Sequence, residues 1–490
     1  MSANSEEIVQ QLRADFEGII MRMLPDHSQP RLTADAMERN LWKSMLQIGR
    51  GLMTAFLVHR AEMITPAHVC LSEEQVLPSH DQSPRTYDCV FGKIRFERRY
   101  YYRAGQGAFP ADADLNLPPN GCSDLLREWQ ERFDACVPYD DTNALLEQIL
   151  GRPFSTRAQQ AAILEDGPQV EAFYEQAEAK GPDPDACILV VQADGKGVPL
   201  VRPADPDAPV RAGKGAPAGK KEAIVTSVYT LRPAPRTPES VVASLFHADT
   251  KQPPAPEERG KPYDKWLWAT LEGKDAALTL TAEQARRREG EHILHRVALT
   301  DGAEALQTRV QSHFPHFTLL LDFIHANEYL WKAANALLGE NAPERDPWVE
   351  ERTLLLLEGQ TAAVICDLRQ TASACQDRPV VSKTLASVAA YYERNQPLMR
   401  YDLYLARGWP IASGVIEGAC RHLVKDRCEQ SGMRWTQAGA EALLHLRSVA
   451  ENGNWEPFHA YRRRQRQLQL YTYWKAEQPD ITAMPLRLAA

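Results

Sequence analysis

Three acidic side chains, Asp194, Asp301 and Glu417, stand where they could hold metal ions. Asp194 closes the apolar run that starts at Cys187, and Asp301 closes the run Val297-Ala-Leu-Thr. Both runs read as strands. Glu417 lies in the first turns of a helix that Ser413 is expected to cap. Phosphodiester hydrolysis and strand transfer call for such a set. Two Mg²⁺ ions about 3.5–4 Å apart stabilise the attacking and leaving oxygens of an in-line displacement. Mg²⁺ takes hard oxygen ligands, so carboxylates on rigid elements suit it and cysteines do not. Taken singly, each acid also has an ordinary structural use. An Asp at a strand end forms turns or caps helices, Asp301-Gly302 opens a helix, and an acid near a helix start is favoured by the dipole.

The elements that must position these groups are legible in outline. Residues 1 to about 66 have helical periodicity, with Ile8, Leu12, Phe16 and Ile19 as one series. From Arg85 the period changes to that of a β-hairpin with Gly92 near its turn. Residues 123–178 return to helix. Within them, one helix ends at Gly151 and Ser155 starts another, which is either helix-turn-helix grammar, with Arg157, Gln159 and Gln160 facing DNA, or a plain helical hairpin. After the breaker at 179–186, the strand ending at Asp194 is expected to turn at Gly195 and run back to Val201 as a second strand. Residues 223–231 form the third, and a helical region follows. The strands ending at Asp301 and Asp322 are the fourth and fifth. That order predicts an α/β catalytic core with an RNase H-like mixed sheet, in which acids of the first strand, the fourth strand and the last helix converge. Residues 326–409 read as a helical insertion, and the N-terminal region as mainly helical with a β-hairpin. The expected parts are 1–84, 85–180, 181–325, 326–409 and 410–490.

Composition bounds the alternatives. The 490 residues carry 65 acidic and 56 basic side chains, a net charge of −9, which argues against a generally basic nucleic-acid coat. Nine cysteines without a C-x-x-C pair fit neither a disulfide framework nor a zinc knuckle. The start of the chain lacks the pattern of a signal peptide and no apolar run suits a membrane span, so a cytoplasmic, nucleoid-associated protein is expected.

Several blocks of the chain resemble the ISKra-group insertion-sequence transposases, relatives of the Mutator-type DDE transposases. They are Ala193–Pro199, Lys220-Lys221-Glu222-Ala223, Thr300-Asp301-Gly302, Leu321-Asp322-Phe-Ile-His325, the long block from Gly414 through Arg427, and Ser431–Trp435. The resemblance covers about residues 85–470. It implies a DDE triad at Asp194, Asp301 and Glu417 that holds Mg²⁺, with Mn²⁺ able to substitute. The second spacing, from Asp301 to Glu417, is 116 residues, similar to relatives with a helical domain inserted there. Asp322 competes with Asp301, and Asp322 with His325 resembles the Cys/Asp-x-x-His signature of Mutator relatives. Strand order favours Asp301 as the ligand, leaving Asp322 and His325 as outer, DNA-positioning residues.

The resemblance implies double-stranded DNA, both terminal inverted repeats and target, as partner, and a homodimer or higher oligomer. Cations for the phosphates are at hand. Residues 202–236 carry seven basic side chains against three acidic ones, and 400–470 carry eleven against seven. The expected DNA contacts are Lys196, Lys220, Lys221, Arg421, Lys425, Arg427, Arg434, Trp435 and, in the helix-turn-helix, Arg157. The expected activity is DNA cleavage followed by strand transfer of the freed 3′-hydroxyl. The alternatives are a sequence-specific DNA-binding protein derived from a transposase, and a Mg²⁺-dependent nuclease that does not join ends.

Overall fold

The computed structural model of the chain describes residues 4–23, 33–72, 75–177, 180–201, 219–246 and 261–474. The cationic loop expected to follow Asp194 lies largely outside them, including Arg202, Arg211 and Lys214. In chain order the first elements are α1 (Ser5–Met23), α2 (Ala34–Met63), β1 (His68–Cys70), β2 (Val76–Cys89), β3 (Gly92–Arg103), β4 (Gln106–Ala108), α3 (Pro110–Asp114), α4 (Asp124–Asp134), α5 (Tyr139–Leu150) and α6 (Thr156–Asp166). Then come α7 (Gln169–Gln176), β5 (Ile188–Pro199), β6 (Lys220–Leu231), α8 (Pro238–Phe246), β7 (Tyr263–Thr270), α9 (Lys274–Arg286), β8 (His295–Thr300), α10 (Glu304–His313) and β9 (Thr318–Leu321). The rest is helical: α11 (Phe323–Leu338), α12 (Arg345–Leu357), α13 (Thr361–Ala374), α14 (Pro379–Asn395), α15 (Tyr401–Ala406), α16 (Gly414–Ala419), α17 (Asp426–Cys428), α18 (Gln437–Glu451) and α19 (Trp455–Leu470). Among the described residues, no helix is long and apolar enough to cross a membrane.

The chain divides into two compact units. One comprises the residues up to Ala162 together with those from Asn454 onward, and the other runs from Ile163 to Gly453. The expectation of one C-terminal part over 410–490 is thereby corrected, because α19 belongs to the N-terminal unit. Its cations are used inside that unit. Arg463 pairs with Glu128, Arg466 binds Asp124 at 2.6 Å, and Arg462 is buried.

In the N-terminal unit, β1–β4 form an antiparallel meander. The β2–β3 hairpin closes at Cys89 and Gly92, and Gly92 has φ +126°, which only glycine adopts freely. The expected hairpin is present, but its first strand begins at Val76 rather than Arg85. Alternate residues Ile94 and Phe96 are buried with Leu57 and Ala61 of α2. Helices α5 and α6 follow the expected pattern. Gly151 ends α5 with φ +70°, and Ser155 Oγ accepts the Ala158 N–H at 3.4 Å.

The second unit is a mixed α/β body. Its five-stranded sheet has the order β7-β6-β5-β8-β9. β7, β6 and β5 are antiparallel neighbours, whereas β5, β8 and β9 run parallel. Two strand assignments differ from expectation. Residues 195–199 continue β5 straight on and make no return strand, because the β5–β6 ladder pairs every residue from Ile188 to Pro199. β7 lies in the stretch expected to be helical. It has a strand signature, for Trp266 and Trp268 are two residues apart and stack at 5.9 Å on one face. The two differences cancel, so β8 is still the fourth strand. The helices of residues 326–409 share one buried core with the sheet, in which Val190, Leu299 and Leu320 meet Leu330, Leu356, Leu385 and Val388.

Candidate functional site

The parallel ladders end at one level, although β5 itself runs on to Pro199 against β6. The register that pairs Gln192 with Leu299, extended by two residues, sets Asp194 level with Asp301. The register that pairs Thr300 with Leu321 sets Asp301 level with Asp322. With strands about 4.8 Å apart, three carboxylates line one sheet edge within roughly 10 Å.

The helix bearing Glu417 is fastened to the same edge. Gln192 Oε1, fully buried on β5, accepts the Ile416 N–H at 3.1 Å and the Ser227 hydroxyl at 3.2 Å. The Phe323 N–H donates to the Ile411 carbonyl at 2.8 Å, tying the chain ahead of α16 to the end of β9. Ser413 stands at the helix start, but its hydroxyl does not cap the backbone as expected. It donates to Glu417 Oε1 at 3.1 Å and steadies that exposed carboxylate. Beyond α16 the helix widens into a π-helical stretch, Cys420–Lys425. Such stretches are frequent at functional sites.

Each acid has its own setting. Asp194 accepts the Gly195 N–H at 2.6 Å on one oxygen and the Cys420 thiol at 3.3 Å on the other. This contact links the first strand to the Glu417 helix. Burial, with Asp194 beside it, pushes the Cys420 thiol up and keeps it protonated. Asp301 Oδ1 accepts the Ala303 N–H at 3.0 Å, so the turn-forming use is realised ahead of α10, which has no side-chain cap. Its backbone is held from the insertion, where the Tyr391 hydroxyl donates to the Asp301 carbonyl at 3.2 Å.

Asp322 is wholly buried. Its Oδ1 accepts the His325 N–H at 2.8 Å and lies 3.3 Å from His325 Nδ1, while its Oδ2 has no hydrogen-bond partner among the described residues. The Asp322 hydrogen bond raises His325 to about 9 against the opposing effect of burial. Candidate ligand atoms of Asp322, His325 and Glu417 lie within 4.8 Å of one another. Asp194 and Asp301 stand outside this tight group. The chemistry of the donors fits Mg²⁺: four hard carboxylates, one of them with a buried oxygen that lacks a partner.

The expected cations divide into two kinds. Lys220 pairs with Glu429 at 2.8 Å, and that contact, with Lys196 and Lys425 near by, holds the Glu429 carboxyl below its usual range. Three lysines from β5, β6 and the Glu417 helix thus surround one acid. Lys221 is half-buried, Arg434 is exposed, and Arg421 is exposed 3.5 Å from Asp426. Arg427 and Trp435 are corrections. Arg427 is fully buried, over the Trp435 ring at 4.8 Å, and the Trp435 N–H donates to the Cys428 carbonyl. These two brace the interior and present nothing to a phosphate. In the other unit, Arg157 is exposed on α6, but Gln159 is buried and its amide donates to Asn143 of α5 at 2.9 Å. Gln159 therefore joins the two helices, and its expected DNA contact is withdrawn.

Sequence reasoning missed Gln192. Its signal was a single polar residue inside an apolar strand run. Comparison of the chain with protein-family models and with curated proteins finds no match.

Proposed function

We propose that this chain is a DDE-type DNA transposase with an RNase H-like catalytic core, which cuts element ends and joins the freed 3′-hydroxyl to target DNA. The observation that supports this most is the placing of Asp194, Asp301 and Asp322 along one sheet edge, with the Glu417 helix fastened to that edge through Gln192. The strand order β7-β6-β5-β8-β9, with three parallel members, supports the fold reading. Asp194, Asp301 and Glu417 would hold Mg²⁺, which when bound supplies charge for the attacking and leaving oxygens. Mn²⁺ would substitute.

The chain's own groups do the rest. Cys420 and Gly195 fix the Asp194 carboxylate, and Ser413 fixes Glu417. His325, held by Asp322, would offer a ring N–H donor to a phosphate oxygen. Lys196, Lys220, Lys425, Arg421 and Arg434 would take DNA phosphates. A homodimer would hold two ends at once.

The test is an assay of cleavage and joining on duplexes taken from the DNA flanking the gene, with and without Mg²⁺. The full chain is expected to nick and then join. Asp194→Asn, Asp301→Asn and Glu417→Gln should each lower both steps by more than about 100-fold, beyond the usual loss for an outer metal partner, and leave end binding intact. Joining by the Asp301 variant together with its loss in Asp322→Asn would move the second ligand to Asp322. Binding without Mg²⁺-dependent cutting would replace the proposal with a DNA-binding protein, and cutting without joined products with a nuclease.

A further inference from the structure

The carboxylate site makes no use of α1 and α2, yet these helices carry the largest run of exposed apolar side chains in the N-terminal unit. On α2, Met45, Leu52, Phe56 and Met63 are exposed, Leu52 and Met63 by 58 % and 67 %. Their spacings of seven, four and seven residues return to one side of the helix within about 20°. On α1, Val9, Phe16 and Ile20 are exposed and share one side by the same rule.

The two helices run antiparallel. The Leu12 side chain lies against Gly51, and the Ser5 hydroxyl donates to Glu62 at 2.6 Å. Val9 is therefore near the height of Phe56, and Ile20 near that of Met45, so the two stripes lie side by side at matching heights. On its other sides α2 is engaged, with Leu57 and Ala61 in the core of the β2–β3 hairpin and the Trp42 N–H donating to the Ile149 carbonyl. Among the described residues, α1 buries Ile19 alone out of 19 residues. A helix so little buried needs a covering partner, because helical stability comes mainly from tertiary packing.

We propose that the α1–α2 face is the interface with a second copy of this chain, two hairpins closing about a two-fold axis into a four-helix bundle. The seven stripe residues offer on the order of 600 Å² of apolar surface per copy, which over two copies reaches the lower end of standard interface size, about 1,200 Å² in total. The stripe residues are apolar, with Arg13 lying among those of α1, so the partner surface must be mainly apolar and as long as the hairpin. A second hairpin meets both needs, and a two-fold axis pairs a patch with itself. The α1 side carries both signs, Glu6, Arg13 and Glu17, and so can pair with its own copy. This inference rests on packing and stands whether or not the chain is a transposase.

Light scattering and sedimentation of the full chain test it. The chain is expected to be dimeric at micromolar concentration. Leu52→Glu with Phe56→Glu should weaken the dimer at least about 30-fold, the size of a hot-spot loss, whereas Val380→Glu, at an exposed position of the other unit, should leave it intact. Hydrogen exchange on dilution gives a second readout without substitution. Amides of 5–23 and 34–63 should exchange faster as the dimer dissociates. A wild-type chain still monomeric at about 100 µM, above the affinities typical of standard interfaces, overturns the proposal, whatever else covers the face. So does a folded double variant that stays dimeric, or a dimer whose α1–α2 amides ignore dilution.

Discussion

At the scale of single residues, type and place in the chain could name a carboxylate but not its surroundings. Asp194, Asp301 and Glu417 stand out as acids at element ends, and the structure sets them near one sheet edge. Asp322 looked like their equal, and only folding shows that it is fully buried with one oxygen lacking a partner among the described residues. Arg427 was counted with the surface cations because it follows Arg421 and Lys425. Two residues beyond Lys425, it turns to the opposite side of the helix and points inward. A titration prediction belongs at this scale. His459 of α19 is buried beside Arg462, which donates to its Nδ1 at 3.0 Å, and burial followed by the charges of Arg462 and Arg463 lowers it from 6.5 to about 3. The folded chain therefore binds this proton less readily than the unfolded chain. The stability it confers is full above pH 6.5 and is lost as pH falls toward 3. Thermal melting of His459→Gln across pH 7 to 4 should show a shallower acid-side decline than wild type, and equal slopes would refute the assignment.

At the scale of elements, the strand ladder and one side chain decide where Glu417 sits. Gln192 satisfies the Ile416 N–H that would otherwise be buried without a partner. Gln192→Leu keeps the bulk and removes the acceptor. We expect a local cost of about 1–3 kcal/mol, faster hydrogen exchange over 414–428 with the sheet strands still protected, and a cleavage rate lowered at least tenfold. Unchanged exchange in the Glu417 helix would show that the sheet edge does not depend on this bond. β7 shows why elements were only partly legible. Its tryptophans alternate correctly, but it lies between two helices, α8 and α9, and sheet pairing rather than local pattern fixes its place.

At the scale of the whole molecule, the chain leaves its first unit after Ala162 and returns to it at Asn454. That return was not visible in the sequence, where residues 410–490 read as one part. In the structure, α19 buries Phe458 and His459 and pairs Arg463 and Arg466 with α4. A chain ending at Gly453 should therefore become sensitive to limited proteolysis within residues 4–162, while fragments spanning 163–453 persist. Equal resistance of both units would refute the assignment of α19. The net charge of −9 reads differently at this scale too. Lysines from three elements gather beside Glu429, whereas several arginines are spent on internal pairs.

Local chemistry is what the sequence determined by itself. Hydrophobic period set most helices and strands, glycine and serine marked turns and helix starts, and acids at strand ends marked the candidate site, because each depends on neighbours a few residues apart. The tertiary structure decided which strand is second and which third, that residues 326–409 share a core with the sheet, that α19 joins the N-terminal unit, and which cations face solvent. Those outcomes depend on pairing and burial between residues from tens to hundreds of positions apart. Their free energies arise only when surfaces meet, and no local pattern records them.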